Sequence, residues 1–191
     1  MGSDAQHVDV RVARWLSSHE LEAWQSFTLL VARLPAALEQ QLQRDSGLSV
    51  VEYHVLAGLA DAPDRQIRMS VLATLAGSEL SRMSHLVKRL EKRGLVRRES
   101  DPTDGRYTLA ILTDQGESYL AATAPGHVEE VRRLVFDVLA DKDLAALGAI
   151  AATLNERLDE LAAGRKHVTG WPPCAAILHP VATKAVDAVR Y

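Results

Sequence analysis

The sequence predicts a mainly α-helical protein with one small β-hairpin, and three observations support this. Hydrophobic residues make up 47% of the 191 residues and aromatic residues only 5%. This composition excludes a disordered chain and, being rich in Leu, Ala and Arg, favours helix. Apolar residues recur at steps of three and four along most of the chain. Two β-prone runs, 95–99 and 107–112, flank a turn rich in Asp, Pro and Gly, which is typical of a hairpin.

The first two helices are predicted from an apolar stripe and from a cap. Apolar residues over 20–44 form one helical stripe, which Pro35 should kink or divide in two. Ser49 and Glu52 match the capping box, in which the serine oxygen accepts a backbone N–H and the glutamate reaches back to the cap. We therefore expect a second helix that ends at the turn over 61–64.

A helix-turn-helix is predicted in the middle of the chain. Residues 67–69 are too few for more than a single strand bridge, and Ser70 is predicted to cap a brief helix that stops at Gly77. Ser81 is predicted to cap the next helix, with Gly94 in the left-handed conformation after its end. One side of this helix is apolar and the other polar or basic: Met83, Leu86, Val87 and Leu90 against Arg82, Ser84, His85, Lys88, Arg89 and Lys92.

Two further helices are predicted after the hairpin. Thr113 caps the first of them, which should be interrupted at 125–126, and Asp141 caps the last. The apolar residues of the last helix, over 144–161, alternate in steps of three and four, a spacing that suits pairing with another helix of the same chain or of a second copy. Because the first and last helices are both terminal and amphipathic, we favour dimerisation.

These elements divide the chain into three regions. An N-terminal arm covers 1–18, one helical domain covers 19–163, and a C-terminal extension of unknown role covers 164–191. The extension contains both late histidines, three prolines and Cys174. Within the domain, a winged helix-turn-helix lobe (48–113) separates two helical dimerisation segments (19–45 and 114–163).

The net charge of −3 hides an uneven distribution. The segment 65–106 contains ten basic and five acidic side chains, a net charge of +5 that leaves −8 for the rest of the chain. A basic segment within an acidic chain is typical of nucleic-acid-binding proteins. The alternative is a solvated helix face that happens to be rich in Arg and Lys, and charge alone does not decide between them.

Several functional classes are excluded by what the sequence lacks. There is no apolar run of the roughly 18–20 residues that span a bilayer, and no signal-peptide pattern, so we expect a cytoplasmic protein. The single cysteine excludes an internal disulfide. No phosphate-binding loop or catalytic nucleophile motif is present, and His127 with Glu130 falls far short of a zinc site. We therefore expect neither an enzyme nor a metal or other cofactor.

The short helix, the glycine turn, the basic helix and the hairpin together form a winged helix-turn-helix pattern. The major groove of DNA admits one helix, and residues near its N-terminus approach the base edges. Arg106 at the hairpin tip would reach the adjacent minor groove, while Arg97 and Arg98 should meet phosphates. The residues expected in the major groove are Arg82, Ser84, His85, Lys88 and Arg89.

These same residues resemble the MarR family of bacterial regulators. Residues 80–96 are similar to its recognition helix, and 95–116, with Asp-Pro-Thr-Asp-Gly-Arg and Leu-Thr-Asp-Gln-Gly, are similar to its wing signature. The resemblance extends over about 20–161. It implies an obligate homodimer whose first and last helices interlock and whose two lobes bind a pseudo-palindrome. Gly105 departs from the family pattern, because many members have a second arginine there, and so does the extension after residue 163.

The resemblance also implies that a small molecule, often a phenolic acid or a drug, enters the cleft between lobe and dimer region. The candidate contacts are Trp24, Phe27, Tyr53 and His54, although their spacing fits core packing equally well. We therefore predict a ligand-responsive repressor that binds double-stranded DNA as a homodimer. The alternative is a protein-interaction module that keeps the fold without binding DNA, which Gly105 and the acidic net charge suggest.

Overall fold

The computed structural model of the protein describes residues 14–162, and these form six α-helices and three β-strands. Short 3₁₀ turns lie at Pro63–Arg65 and Phe136–Val138. The predicted fold class, mainly α with a small β-hairpin wing, is confirmed. The elements are α1 (Ser18–Ser46), α2 (Val50–Asp61), β1 (Gln66–Arg68), α3 (Met69–Leu75), α4 (Leu80–Lys92), β2 (Val96–Ser100), β3 (Thr108–Leu112), α5 (Asp114–Leu134) and α6 (Asp141–Ala162).

The hairpin strand β3 is the middle strand of a three-stranded antiparallel sheet with the order β1-β3-β2. Along β2 the register runs from Val96 opposite Leu112 to Ser100 opposite Thr108. On the other edge, all three residues of β1 pair with β3, so the expectation of a single bridge there was wrong. An exposed strand edge offers unpaired N–H and C=O groups, and β1 covers the edge of β3 that β2 leaves open.

The helix caps were predicted with mixed success. Ser49 and Glu52 form the capping box, and Thr113 accepts a hydrogen bond from the backbone N–H of Gly116. Ser70 and Ser81 do not cap their helices, because α3 begins one residue before Ser70 and α4 one residue before Ser81. The residues before those starts still have extended backbone and make no side-chain cap. Both serines therefore lie in the first turn of a helix instead of before it.

The predicted interruption of α5 at 125–126 was wrong, and of the two outcomes predicted for Pro35, a kink or a division of α1, the division does not occur. α1 continues through Pro35, and α5 continues through Pro125. A proline removes one hydrogen bond from the ladder, and the packing on either side can outweigh that loss. In α5, Leu120 before the proline and His127 after it are both buried.

The chain divides into two compact units at Pro35, and each has its own character. The described part of the first unit, 14–34, exposes an unusual number of large apolar side chains: Trp15, Leu16, Leu21, Trp24, Phe27, Leu29, Leu30 and Val31. The second unit contains the hydrophobic core, to which α2, α3, α4 and β3 contribute most of the buried residues. α6 differs from the core helices, because every described side chain over 145–161 is exposed.

Two histidines lie where α2 and α5 meet in the second unit. His127 is buried, its ring is 4.6 Å from the ring of Tyr53, and its Nδ1 is 3.2 Å from Oε1 of Gln41. Burial lowers the pKa of His127, with a smaller lowering contribution from nearby His54. Burial also lowers the pKa of His54. Burial therefore favours the neutral form of both rings in the folded protein.

Stability should consequently fall as the solution becomes mildly acidic. Unfolded chains protonate histidine below a pKa of about 6.5, whereas the folded protein resists protonation of these two rings. The free energy of unfolding should be unaffected by these groups above pH 6.5 and decrease as the pH falls below it. Urea unfolding of the wild type and of His127→Gln between pH 5 and 8 measures this. An identical pH slope in the two proteins would show that His127 does not contribute.

Candidate nucleic-acid interface

Helix α4 presents a basic outer face above an apolar inner face. Met83, Leu86, Val87 and Leu90 are buried in the core, as their helical spacing predicted. Gly94 has a φ of 73° and ends the helix in the left-handed conformation, also as predicted. The side chains of Arg82, His85 and Lys88 are exposed, and Ser84 is half-buried. Within residues 14–162 these four side chains form no ion pair or hydrogen bond, so they are available to an external partner.

Arg89, which the sequence placed among the DNA contacts, has a partner inside the protein. Its Nε donates to Oε1 of Glu52 over 3.0 Å. Glu52 is only 5% exposed, and its other oxygen completes the cap of α2 by accepting the backbone N–H of Ser49 at 2.9 Å. A buried carboxylate needs such partners. Arg89 therefore fixes α4 against the start of α2, whatever else its exposed side chain contacts.

The three arginines of the wing are also paired. Nε and Nη2 of Arg98 donate to Glu91 at 3.1 and 2.7 Å, and Arg97 forms an ion pair with Glu99. At the hairpin tip, Arg106 is paired with Asp104 at 2.6 Å, yet its side chain is 83% exposed. Exposed ion pairs of this kind contribute little free energy, so a phosphate can readily replace the carboxylate.

Another arginine, to which the sequence analysis gave no role, holds the base of the wing. Nε of Arg68 on β1 donates to Oδ2 of Asp101 over 2.8 Å, and its guanidinium lies 4.5 Å from the ring centre of Tyr107. Oδ1 of Asp101 accepts the backbone N–H and the hydroxyl of Thr103. Hydrogen bonds from Thr103, and then the bond from Arg68, lower the pKa of Asp101 to about 2. The Asp-Pro-Thr sequence carried the signal for this Asx turn, but nothing in the sequence paired it with Arg68.

Other basic residues of the positive segment are used to hold the fold. Arg65 donates to Asp114 and Glu117 at the start of α5. Arg93 donates to the carbonyl oxygens of Ser46 and Gly47 and to the hydroxyl of Tyr119. The charge of +5 therefore overstates what the surface offers to a partner. Within the described residues of this segment, the basic side chains without an ion pair or hydrogen bond are Arg82, Lys88 and Lys92.

The four effector candidates fall into two pairs. Trp24 and Phe27 of α1 are 55% and 45% exposed, and their ring centres are 6.2 Å apart. On α2, Tyr53 is fully buried in the core and His54 is half-buried, with ring centres also 6.2 Å apart. Tyr53 is thus a core residue, which was the alternative interpretation of its spacing. The C-terminal extension 164–191, with Cys174, lies outside the described residues, as do residues 1–13.

Comparison with known proteins agrees with this architecture. The MarR family model matches residues 46–106. Among curated proteins, the transcriptional regulator HosA of Escherichia coli O111:H- is 40% identical over 78 residues, which are 41% of this chain and 56% of HosA. The match thus spans about half the length of HosA.

Two solved structures match over most of their length. Sco3205, a MarR family transcriptional regulator from Streptomyces coelicolor solved in complex with DNA, is 46% identical with a TM-score of 0.73, covering 77% of this chain and 92% of Sco3205. AbsC, a MarR family transcriptional regulator from the same organism, is 36% identical with a TM-score of 0.72, covering 78% of this chain and 99% of AbsC. The chain therefore belongs to the MarR family of transcriptional regulators, and not to a family of enzymes.

Proposed function

We propose that the protein is a sequence-specific DNA-binding repressor that binds a pseudo-palindromic operator as a homodimer. The observation that supports this most is the outer face of α4, where Arg82, His85 and Lys88 are exposed and have no partner within residues 14–162, beside a wing tipped by Arg106. A helix of this kind fits the major groove, and the wing arginine suits the adjacent minor groove. The complex of Sco3205 with DNA supports the same assignment by homology.

The homodimer is supported by the apolar surfaces of the two terminal helices. Residues 14–34 and helix α6 each expose several large apolar side chains. A monomeric soluble protein usually exposes fewer. Pairing these faces between two copies would bury them. A dimer would also present two copies of α4, and two-fold recognition requires these to meet half-sites about 34–36 Å apart.

A small effector would act through this same spacing. Trp24 and Phe27 provide an exposed aromatic surface on the first helix, of the kind that aromatic ligands bind. A ligand that changes the separation of the two lobes would release DNA, because both copies of α4 could then no longer reach their half-sites together. Titration of phenolic and other aromatic compounds against the protein–DNA complex tests this. Operator affinity that no compound class changes would argue against a ligand-responsive repressor.

Two arginine variants should separate base recognition from phosphate contact. Arg82→Ala should weaken operator binding by about 1–3 kcal/mol and relax specificity at one base pair, because an arginine in the major groove makes a bidentate pair with guanine. Arg97→Ala should weaken all duplexes alike and flatten the salt dependence by about one unit. Arg132→Ala, an exposed arginine of α5, is the matched control. Equal losses on operator and random DNA for both variants would refute this division.

The experiment that tests the function itself is fluorescence anisotropy at three salt concentrations. The protein is titrated against the DNA upstream of its own gene and against a scrambled duplex. Salt-dependent binding that prefers the upstream DNA is expected for an autoregulating repressor. Absent or equal binding to both duplexes would instead favour the interaction-module alternative.

A further inference from the structure

A cleft of about 220 Å³ separates the start of α4 from the wing. Met69 and Leu80 contribute apolar surface to it, and no carboxylate is among its lining residues. The rest of the lining consists of hydrogen-bond donors from four different elements and the wing turn. These donors are Ser70, Ser84, Arg98, Arg106, Tyr107 and Thr108.

The donors in this cleft have unused hydrogen-bonding capacity. The hydroxyl groups of Ser70, Ser84 and Thr108 make no hydrogen bond with any residue of 14–162. Arg98 uses Nε and Nη2 for Glu91, which fixes its guanidinium plane, and its Nη1 has no partner in the same range. Three hydroxyls and one arginine nitrogen without partners in the described residues, in a cleft whose lining has no carboxylate, suit an anion with several acceptor oxygens.

The position of the cleft indicates which anion this is. If α4 enters the major groove and the wing reaches the adjacent minor groove, one sugar–phosphate strand must pass between them, because a single backbone separates neighbouring grooves. The space between the start of α4 and the wing is this cleft. Ser70 on α3 and Thr108 on β3 both line it.

We propose that this cleft binds a phosphate of the DNA backbone, with Ser70 and Thr108 as direct contacts and Arg98 as the charged donor. The inference rests on the proposed DNA-binding function and adds two residues that the sequence did not predict as DNA contacts. Because the hydroxyls carry no charge, their contribution does not depend on the release of counterions. The site positions the protein on any duplex and does not read sequence.

Anisotropy titrations with Ser70→Ala and Thr108→Ala test this. Each variant should bind operator and scrambled DNA roughly three- to tenfold more weakly, with an unchanged salt slope, because a neutral hydrogen bond to a charged acceptor is lost. Arg98→Gln should in addition flatten the slope by about one unit. Ser118→Ala, at an exposed serine of α5 outside the cleft, is the matched control and should bind like the wild type.

A scan with single methylphosphonates, which are neutral and lack one phosphate oxygen, identifies the phosphate itself. One position should weaken wild-type binding and leave Ser70→Ala little affected. Wild-type affinity in both variants, or losses confined to the operator, would overturn the proposal although the protein still binds DNA. If the wild type binds no DNA at all, the proposed function fails first. Competition by inorganic phosphate at constant ionic strength, abolished in Ser70→Ala, would assign the cleft to a free anion instead.

Discussion

Replacing Gly116 with alanine should destabilise the folded protein by about 1–3 kcal/mol or more, because the new methyl group has no space. A Cβ at this position would lie 2.1 Å from the carbonyl oxygen of Leu95 and 2.8 Å from Cδ1 of Leu112. The Leu95 carbonyl cannot easily turn away, since it accepts hydrogen bonds from the backbone N–H and the hydroxyl of Thr113. The first turn of α5 would have to move away from the wing strands.

Chemical denaturation followed by circular dichroism measures this loss. The same helix offers a matched control in Gly126, where an added Cβ would meet only Nε2 of Gln41 at 3.8 Å, an ordinary contact. Gly126→Ala should therefore raise the free energy of unfolding, by up to about 1 kcal/mol, through helix propensity alone. If Gly116→Ala were as stable as the wild type, α5 would not be in contact with the wing strands at Leu95.

The contrast between the two glycines shows what local sequence reasoning could reach. Gly94 was predicted to be left-handed because it follows a periodic helix, and its φ of 73° confirms this. Gly116 is required because the start of α5 lies against Leu95, about twenty residues earlier in the sequence, with no room for a side chain. No pattern within a single element reveals such a contact.

In the candidate interface, too, some residue roles could be predicted from a single helix and others depend on contacts with a distant segment. The outer face of α4 could be predicted because helical period alone separates Arg82, His85 and Lys88 from the buried apolar residues. The roles of Arg68 and Arg89 could not, because each depends on a carboxylate in another element, Asp101 and Glu52 respectively. The net charge of segment 65–106 includes these two arginines, although both form ion pairs that hold the lobe together.

The apolar side chains of helix α6 are not covered by any other part of the chain that the structure describes. Leu147, Ile150, Leu154, Leu158 and Leu161 are between 41% and 63% exposed. Burying leucine side chains stabilises by about 1.5–3 kcal/mol each, so leaving a row of them in water is unfavourable unless a partner covers them. A second copy of the chain is the partner proposed above, and the spacing of these residues suits helix pairing.

Placing two charges in that row should therefore abolish both the dimer and tight DNA binding. Leu154→Glu/Leu158→Glu would bury carboxylates in the proposed interface, so analytical ultracentrifugation should detect monomers. Operator affinity should fall at least about a hundredfold, because linking two half-site contacts gains 10²–10⁴ in avidity that a monomer loses. Ala149→Glu/Ala152→Glu, which adds the same charges to the opposite face of α6, should remain dimeric and bind DNA normally. A dimer that survives the leucine substitutions would show that the interface lies elsewhere, on the exposed apolar residues of the first unit.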